Sequence, residues 1–341
     1  MTSTSPIIQT DCVETVPAEK PYESLASILT RAGYRSGFFE MSKGNFECAP
    51  GLFSNLGFDW AWFRENLQDP SAYIGYMGGD DCRLIKPALD WIGEKDQPFL
   101  LMVITSIAHD PFEVPDWFEK PKENLNDRYL QTVRYTDHFL EQLCQKLKEN
   151  GLDKNTILCV LGDHGTSFRA QKSKGRWVPY EEVIRVPWVI RWPGHLDAGY
   201  TVEWPCSQID VTPTILKLIG FDITNAGFEG FDAMVKPVDK RRFYFSSLLS
   251  ESPTGFVEDN MKIVYWPYLD KVFQYDLNID PNEENPRVVS VEQAKKIKDD
   301  IMNWQEKTQI VIDARRQTRQ LMYSHWKTFS AGSSAWAYYV P

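Results

Sequence analysis

The chain lacks the sequence features that mark a disulfide-rich or membrane-spanning protein. Its six cysteines are spread over 341 residues without a C-x-x-C pair, which argues against a disulfide framework and a zinc knuckle. The longest apolar stretch, Phe99 to Ala108, contains Thr105 and Ser106 and is far shorter than the roughly 20 residues of a membrane-spanning helix. No basic segment followed by an apolar one begins the chain, so no signal peptide and no membrane span are predicted.

Basic residues are also too few for a general nucleic-acid-binding protein. The 37 Lys and Arg residues against 47 Asp and Glu residues give a formal net charge of −10, which repels phosphate backbones. Apolar residues make up 43% of the chain and aromatic residues 13%, enough to form the core of one large domain or two modest ones. We therefore expect a folded protein without a nucleic-acid partner.

Apolar strand-like and helix-like segments alternate over the first two thirds of the chain. A continuously apolar segment, Phe99 to Ile107, is typical of a strand covered on both faces. The pattern predicts further strands over 34–40, 156–161 and 186–190, and helices over 24–32, 82–92 (interrupted near Pro87), 127–150 and 212–218. This alternation predicts an α/β fold with a largely parallel sheet between helices.

The character of the sequence changes after about Gly220. Short aromatic strands are predicted over 243–248, 261–266 and 271–277, which favours a small antiparallel subdomain. The pattern thus divides the chain into a catalytic domain (1–220), a β-rich subdomain (221–290) and a helical extension with a mobile tail (291–341).

The most informative local motif is Gly162-Asp163-His164-Gly165, directly after the strand predicted to end at Leu161. A carboxylate and an imidazole side by side at the carboxyl end of a strand are suited to bind a divalent metal. The alternative is an ordinary turn, in which His164 forms only local hydrogen bonds.

A second polar motif, His109-Asp110-Pro111-Phe112, follows the Phe99–Ile107 strand in the same way. Because parallel strands end at one edge of a sheet, His109 is expected to converge with the Asp163–His164 pair. The alternative is that His109 merely caps its strand or contacts Asp110.

Two further segments are candidates for catalysis or anion binding. The hydroxyl-rich start, Thr2 to Ser5, supplies potential nucleophiles, although frayed ends are common. The basic residues after the Asp163–His164 pair, and an isolated lysine near the first predicted strand, suit either a sulfate or phosphate group or a solvated loop. These residues are Lys43, Arg169, Lys172, Lys174 and Arg176.

Taken together, these segments resemble the sulfatase family of the alkaline phosphatase superfamily, in particular its lipoteichoic-acid-synthase-like and phosphoethanolamine-transferase-like branch. The likeness extends over about residues 24–285. The motifs that carry it are Ser24-Leu25-Ala26-Ser27-Ile28-Leu29, Ala32-Gly33-Tyr34-Arg35-Ser36, Leu56-Gly57-Phe58-Asp59, His109-Asp110-Pro111-Phe112, Tyr135-Thr136-Asp137, Asn155-Thr156-Ile157, Gly162-Asp163-His164-Gly165, Arg185-Val186-Pro187, Trp192-Pro193-Gly194, Asp210-Val211-Thr212-Pro213-Thr214-Ile215-Leu216 and Tyr275-Asp276-Leu277-Asn278-Ile279-Asp280-Pro281-Asn282-Glu283.

The resemblance implies a three-layer α/β/α sandwich with a mostly parallel mixed sheet, and a divalent metal (Mn, Mg, Ca or Zn) bound by Asp163 and His164. It implies that His109 contacts the charged oxygens or leaving group of a sulfate or phosphate ester. The formylglycine motif C/S-x-P-x-R is absent before Gly33-Tyr34, so the likeness implies a threonine nucleophile, Thr2, with Thr4 as the alternative.

The family's first strand and its acidic metal ligand have no counterpart before Thr2. We therefore expect the chain to be a fragment of an extracytoplasmic enzyme, either free or membrane-anchored at its full length. The expected substrate is a small-molecule or envelope glycan or lipid ester, with Lys43, Lys174 and Arg176 holding its anionic group. Lipoteichoic-acid synthesis itself is not predicted, because Glu47-Cys48-Ala49-Pro50 replaces the aromatic and basic residues of those enzymes.

Two other hypotheses remain open from the sequence. One is a catalytically inactive domain that binds an anionic ligand or partner, which the missing strand and ligand favour. The other is a phosphodiesterase or phosphonate-cleaving relative, which would use the same fold and often a second metal. The sequence does not separate sulfate from phosphate, because both are tetrahedral anions that similar donors bind.

Overall fold

The structure, a computed structural model, describes residues 23–44, 49–169, 178–224, 226–246 and 253–307. Its helices are α1 (Leu25–Arg31), α2 (Ala49–Leu56), α3 (Ile85–Gly93), α4 (Leu125–Glu149), α5 (Glu181–Ile184) and α6 (Val211–Leu218), and residues 291–307 are also helical. Its strands are β1 (Arg35–Glu40), β2 (Trp60–Trp62), β3 (Phe99–Ile104), β4 (Leu158–Leu161), β5 (Trp188–Arg191), β6 (Phe243–Phe245), β7 (Thr254–Glu258), β8 (Met261–Trp266), β9 (Lys271–Asp276) and β10 (Arg287–Val288).

The first three strands form a parallel sheet in the order β2-β1-β3. Strand β1 pairs with β3 from Arg35 opposite Phe99 to Glu40 opposite Ile104, so both strands end at the same edge. Helices α2 and α3 supply the crossover connections that parallel pairing requires. The predicted strand–helix–strand alternation is confirmed here.

Strands β4 and β5 form an antiparallel pair, which makes the strand arrangement mixed rather than purely parallel. Side chains from β3, β4 and β5 pack against α1 and α6 in one apolar cluster that includes Leu29, Leu100, Cys159, Ile190 and Leu216. These strands therefore lie beneath a common layer of helices.

The opposite face of the parallel sheet is covered by α3. Phe39 of β1 and Trp62 of β2 pack with Trp91 of α3, and the Phe39 and Trp62 rings are stacked with centroids 6.2 Å apart. The neighbouring side chain on β1, Phe38, instead packs with Ala26 of α1, since successive strand side chains point to opposite faces. Helices thus cover both faces, and the predicted α/β/α sandwich is confirmed.

Two local expectations are corrected. Pro87 does not interrupt α3, because it lies in the first helical turn, where a backbone N–H would have no intrahelical acceptor. Strand β3 is half-buried along its length rather than fully buried, and β4 is half-buried up to Leu161, which is exposed.

The C-terminal strands form a five-stranded antiparallel sheet in the order β10-β9-β8-β7-β6, as predicted. The helix over residues 291–307 packs on this sheet, where Ile301 contacts a cluster that contains Phe256, Ile263 and Val272. Residues 308–341 of the predicted helical extension and tail lie outside the described part of the chain, and the domain boundaries stay predictions.

A buried ionic cluster joins this sheet to α5. The side chain of Lys262 on β8 is fully buried, and its Nζ lies 2.7 Å from Glu283 Oε1 and 3.1 Å from Glu181 Oε1. The other oxygen of Glu283 accepts a hydrogen bond from the backbone N–H of Glu181, at 2.6 Å. Lys262 therefore pairs with both carboxylates, in a setting where a charge without a partner is costly.

A second buried polar group lies between the sheet and α3. Asp80 and Asp81 begin the short 3₁₀ helix Asp81–Leu84 that leads into α3, and both are buried. Asp80 accepts hydrogen bonds from Tyr135 Oη at 2.6 Å and Trp117 Nε1 at 2.9 Å. Burial raises the pKa of Asp81 to about 7, although hydrogen bonds from Ser106 and Ile107 act in the opposite direction.

Among the described residues, no helix combines the length and apolar character needed to cross a bilayer.

Replacing Lys262 with methionine should destabilise the protein, because Glu283 then keeps a buried charge without a cation. We expect the free energy of unfolding to fall by about 3–5 kcal/mol, measured by urea denaturation. The control is Lys240→Met, which breaks an exposed pair with Asp259 and should leave the free energy of unfolding close to that of the wild type, because solvent screens the pair. Equal stability of Lys262→Met and the wild type would contradict the assigned role of the cluster.

The raised pKa of Asp81 predicts a pH dependence of stability. Between pH 3.8, the ordinary value, and about 7, the folded state holds a proton that the unfolded state has lost. The stabilisation that protonated Asp81 contributes is therefore complete below the ordinary pKa. It decreases as the pH rises toward 7, with the slope that corresponds to one proton. Urea denaturation from pH 4 to 8 should show this extra slope relative to Asp81→Asn; parallel curves would disprove it.

Candidate active site

The first part of the candidate site is the turn that follows β3. His109 is exposed, and its backbone N–H donates to the carbonyl of Ser106 at 3.2 Å. The N–H of Phe112 in turn donates to the carbonyl of His109 at 2.9 Å, which closes the turn. His109 Nδ1 lies 2.7 Å from the carbonyl oxygen of Asp110. Since a carbonyl only accepts, Nδ1 is the donor in this contact.

A recess beside His109 is formed by this turn and a glycine-rich hairpin. The residues that line it are Tyr73, Gly75, Tyr76, Met77, Gly78, Ser106, Ile107, His109, Asp110, Pro111 and Glu113. A Cβ atom on Gly78 would lie 2.0 Å from Ser106 Oγ, so only glycine permits the hairpin to approach the turn this closely. The hairpin and the turn are therefore packed as one unit.

The second part is the Asp163–His164 pair, which directly follows β4. Both side chains are largely exposed, at 88% for Asp163 and 70% for His164. Asp163 Oδ1 accepts a hydrogen bond from the backbone N–H of His164 at 2.7 Å, and His164 Nδ1 lies 2.8 Å from the carbonyl of Gly165. His164 Nδ1 thus donates to this carbonyl, and Nε2 lies 3.7 Å from Asp163 Oδ2 on the other side of the ring.

The backbone around this pair is fixed although its side chains are exposed. Gln208 Nε2 donates to the carbonyls of Gly162 and Asp163, at 2.9 and 2.7 Å. The N–H of Gly165 donates to the carbonyl of Val183 at 2.7 Å, and a Cβ on Gly165 would lie 2.0 Å from the carbonyl oxygen of Glu182. These contacts fix the direction in which Asp163 and His164 leave the loop.

Aromatic side chains join the two loops. The ring centroids of Phe112, three residues after His109, and Phe168, four residues after His164, lie 6.0 Å apart. Tyr129 of α4 contacts both rings, and its ring centroid lies 5.4 Å from that of Phe112 and 5.4 Å from that of Phe168. The loops that follow β3 and β4 thus contact each other through these rings, although β4 pairs with β5 and not with the β2-β1-β3 sheet. The convergence of His109 with the Asp163–His164 pair, and the catalytic and metal-binding roles of these residues, stay predictions.

The predicted anion-binding residues fall into three groups. Lys43 is exposed and follows the end of β1, at the same edge of the parallel sheet as the turn of His109. Arg169 already has protein partners, since its guanidinium stacks on Tyr180 at 4.4 Å and pairs with Glu182 at 3.1 Å. The other anion-binding candidates, Lys172, Lys174 and Arg176, lie outside the described residues, as do the nucleophile candidates Thr2 and Thr4.

A carboxylate and an imidazole fit the donor set of a divalent metal. They supply two ligands, and within the described ranges no group of three or more His, Cys, Asp or Glu side chains is arranged to hold a metal. The pair thus offers two possible metal ligands, and its metal-binding role stays a prediction.

Two positioning residues were missed by the sequence reasoning. Asp81 contacts Ser106, which is 25 positions away, and Gln208 contacts Asp163 over 45 positions, so neither pairing is visible locally. The consecutive acidic residues after Gly78-Gly79 were the one available signal for Asp81. Gln208 had no signal of its own, apart from lying two residues before the Asp210 motif.

The chain is similar in sequence to bacterial lipoteichoic acid synthases. The chain is 28% identical over 232 residues to the lipoteichoic acid synthase of Staphylococcus saprophyticus, covering 64% of this chain and 36% of the relative. It is 28% identical over 218 residues to lipoteichoic acid synthase 1 of Bacillus subtilis, covering 60% and 34%. The chain thus spans about a third of the length of these relatives.

Solved structures share the fold. The lipoteichoic acid synthase LtaP from Listeria monocytogenes superposes with a TM-score of 0.72 at 18% identity, covering 92% of this chain and 78% of the other. A protein of the alkaline phosphatase superfamily from Vibrio parahaemolyticus gives a TM-score of 0.69 at 21% identity, covering 93% and 74%. At these identities the likeness establishes the α/β architecture.

The sequence model of the family described as Sulfatase matches residues 1–221. This match includes β1 to β5, the turn that carries His109 and the loop that carries Asp163 and His164. Because it extends over more than half of the chain, the protein belongs to the sulfatase family of the alkaline phosphatase superfamily.

Proposed function

We propose that this protein is a metal-dependent hydrolase or transferase that acts on sulfate or phosphate esters. The observation that carries the proposal is the fixed Asp163–His164 loop after β4, which meets the turn of His109 after β3 in a member of the sulfatase family. The fixed backbone holds the exposed carboxylate and imidazole side by side, so less conformational entropy is lost when a metal ion binds them.

Asp163 and His164 would hold the metal through a carboxylate oxygen and Nε2. A bound divalent ion, Mn, Mg, Ca or Zn, supplies charge that polarises the ester and lowers the pKa of a nearby hydroxyl. The contact of His164 Nδ1 with the carbonyl of Gly165 supports the proposal, since it orients the ring so that Nε2 lies 3.7 Å from Asp163 Oδ2, the second proposed ligand. Gln208 supports it as well, because it fixes the backbone on the N-terminal side of the pair.

The proposed nucleophile is the hydroxyl of Thr2, with Thr4 as the alternative. Its oxygen forms a bond to the phosphorus or sulfur of the ester while the bond to the leaving alcohol oxygen breaks. The proton lost by the threonine hydroxyl is balanced by the proton that the leaving oxygen gains to become an alcohol. Water or a second alcohol then attacks the covalent intermediate and releases the threonine hydroxyl. Hydrolysis and transfer differ only in which of these two acceptors arrives.

His109 is proposed to face the substrate at the ester oxygens or the leaving group. Its Nδ1 proton is engaged by the carbonyl of Asp110, so Nε2 is the atom that accepts or donates a proton there. Lys43, at the same edge of the sheet, is proposed to contribute positive charge to the anionic substrate, together with Lys174 and Arg176.

The names of the curated relatives favour a substrate of the cell envelope. Both relatives described above are lipoteichoic acid synthases, which supports an envelope glycan or lipid ester as substrate and an extracytoplasmic location. Both sulfate and phosphate esters are proposed as substrate classes, because both anions are tetrahedral and bind similar donors. Assays with both esters distinguish them.

A second candidate function is binding without turnover. It is favoured by the fact that Asp163 and His164 are only two ligands and that the described residues contain no cluster of three. In that case the domain would bind an anionic ligand or partner through the same edge of the sheet.

Asp163→Ala should abolish both metal binding and turnover. We expect metal content, measured by elemental analysis after dialysis against Mn²⁺ and then buffer, to fall at least about 10-fold, with loss of p-nitrophenyl phosphate or sulfate hydrolysis. The control is Asp197→Ala, an exposed aspartate outside the site, which should behave as the wild type. Retention of metal and turnover by Asp163→Ala would exclude the proposed site, whereas metal without turnover in the wild type would favour the binding function.

His109→Gln should separate the chemistry from metal binding. We expect kcat/KM to fall by about 10²–10⁴, because glutamine cannot transfer a proton at neutral pH, while the metal content stays at the wild-type level. A matched control is His195→Gln, since His195 stacks on Trp192 and is absent from the site. Unchanged kcat/KM in His109→Gln would remove His109 from the mechanism.

A further inference from the structure

We propose that Asp81 is a positioning residue for His109, because its carboxylate fixes the turn after β3 and thereby sets the direction of the His109 imidazole. This inference rests on the proposed function, in which His109 faces the substrate. It assigns a specific task to a buried carboxylate that the proposed mechanism does not otherwise use.

The first observation is the number of hydrogen bonds that end on Asp81. The backbone N–H of Ser106 lies 2.9 and 3.0 Å from its two oxygens, Ser106 Oγ lies 3.0 Å from Oδ1, and the N–H of Ile107 lies 3.0 Å from Oδ2. Asp81 itself is fully buried. A buried carboxylate with this many donors is held in one orientation, and it holds its donors in return.

The second observation is the short path from these donors to His109. Ser106 is also the residue whose carbonyl accepts the N–H of His109. The same residue thus binds Asp81 through its N–H and Oγ and the histidine through its carbonyl. Rotation of the Ser106–Ile107 peptide would therefore break the hydrogen bond from the Ile107 N–H to Asp81 and the one from the His109 N–H to the Ser106 carbonyl.

The third observation is that Ser106 has no room to adopt another position. Its Oγ would lie 2.0 Å from a Cβ on Gly78, so the hairpin confines it on one side while Asp81 holds it on the other. Ile107 is buried in a cluster with Val114 and Tyr135. The turn is thus confined by packing and aligned by Asp81.

Asp80 provides a natural comparison for Asp81. It is a neighbouring buried carboxylate, but its partners are Tyr135, Trp117, Arg83 and the N–H of Cys82. These contacts fix α4 and the segment around Trp117 rather than the turn of His109. Asp80→Asn therefore removes a neighbouring buried charge without removing a hydrogen bond to Ser106 or Ile107.

The first arm of the experiment observes His109 directly. Full-length protein with ¹³C-labelled histidine is studied by NMR, and the His109 signal is assigned by its loss in His109→Gln. Asp81→Asn places an NH₂ group where Asp81 now accepts hydrogen bonds, so we expect the His109 signal to shift or broaden. Asp80→Asn should leave it unchanged. An unchanged His109 signal in Asp81→Asn, or an equal change in Asp80→Asn, would overturn the inference.

The second arm measures coupling in kcat/KM on p-nitrophenyl esters with Mn²⁺. Asp81→Asn should lower kcat/KM by about 10- to 100-fold, with wild-type metal content. If Asp81 acts through His109, adding Asp81→Asn to His109→Gln should change kcat/KM by less than about twofold. An equal loss in both backgrounds would show that Asp81 acts through general stability, and would overturn the inference.

A milder variant covers the case in which Asp81→Asn does not fold. Ser106→Ala removes only one of the donors to Asp81, and it should shift the His109 signal in a folded protein; no shift would overturn the inference. Absence of turnover by the wild type on every ester would refute the proposed function, while the NMR comparison would still decide whether Asp81 positions His109.

Discussion

Parallel pairing of β1 with β3 is the constraint on which the arrangement of the site depends. Its register, from Arg35 opposite Phe99 to Glu40 opposite Ile104, ends both strands at one edge. The segments that leave this edge carry Lys43 and His109. The loop after β4 reaches the same region through Phe168. A register shift by one residue would turn the side chains of β1 to the opposite face, and Phe38 and Phe39 would exchange their helix layers.

The site combines exposed functional side chains with a backbone that is held firmly. Asp163, His164 and His109 are all accessible to a ligand, yet each lies on a segment whose carbonyls and N–H groups are paired. Gln208 does this for the β4 loop, and Asp81 does it for the β3 turn. In such an arrangement, the conformational entropy of the proposed catalytic groups is lost on folding rather than on substrate binding.

The C-terminal sheet contributes to the same region through charge. Lys262 on β8 pairs with Glu283 and Glu181, and Glu181 begins α5. The next residue, Glu182, accepts hydrogen bonds from Ser167 and Arg169 in the segment that follows the Asp163–His164 pair. A continuous set of polar contacts thus connects the antiparallel sheet with that segment. The ionic cluster favours one docking of the two parts, since any other would leave buried charge unpaired.

The sequence by itself determined the α/β layers, the small antiparallel sheet and the two strand-end motifs, because hydrophobic periodicity and turn residues are local properties. Strand ends were less certain: β3 ends at Ile104 rather than Ile107, because Asp81 binds Ser106 and Ile107 outside the ladder. Arg169 looked like an available cation in sequence, but Glu182 and Tyr180 already engage it. Only the tertiary structure decided these pairings and the contacts of Asp81, Gln208 and Lys262, since their partners are 21 to 81 positions away and hydrogen bonding across such separations leaves no periodic signal.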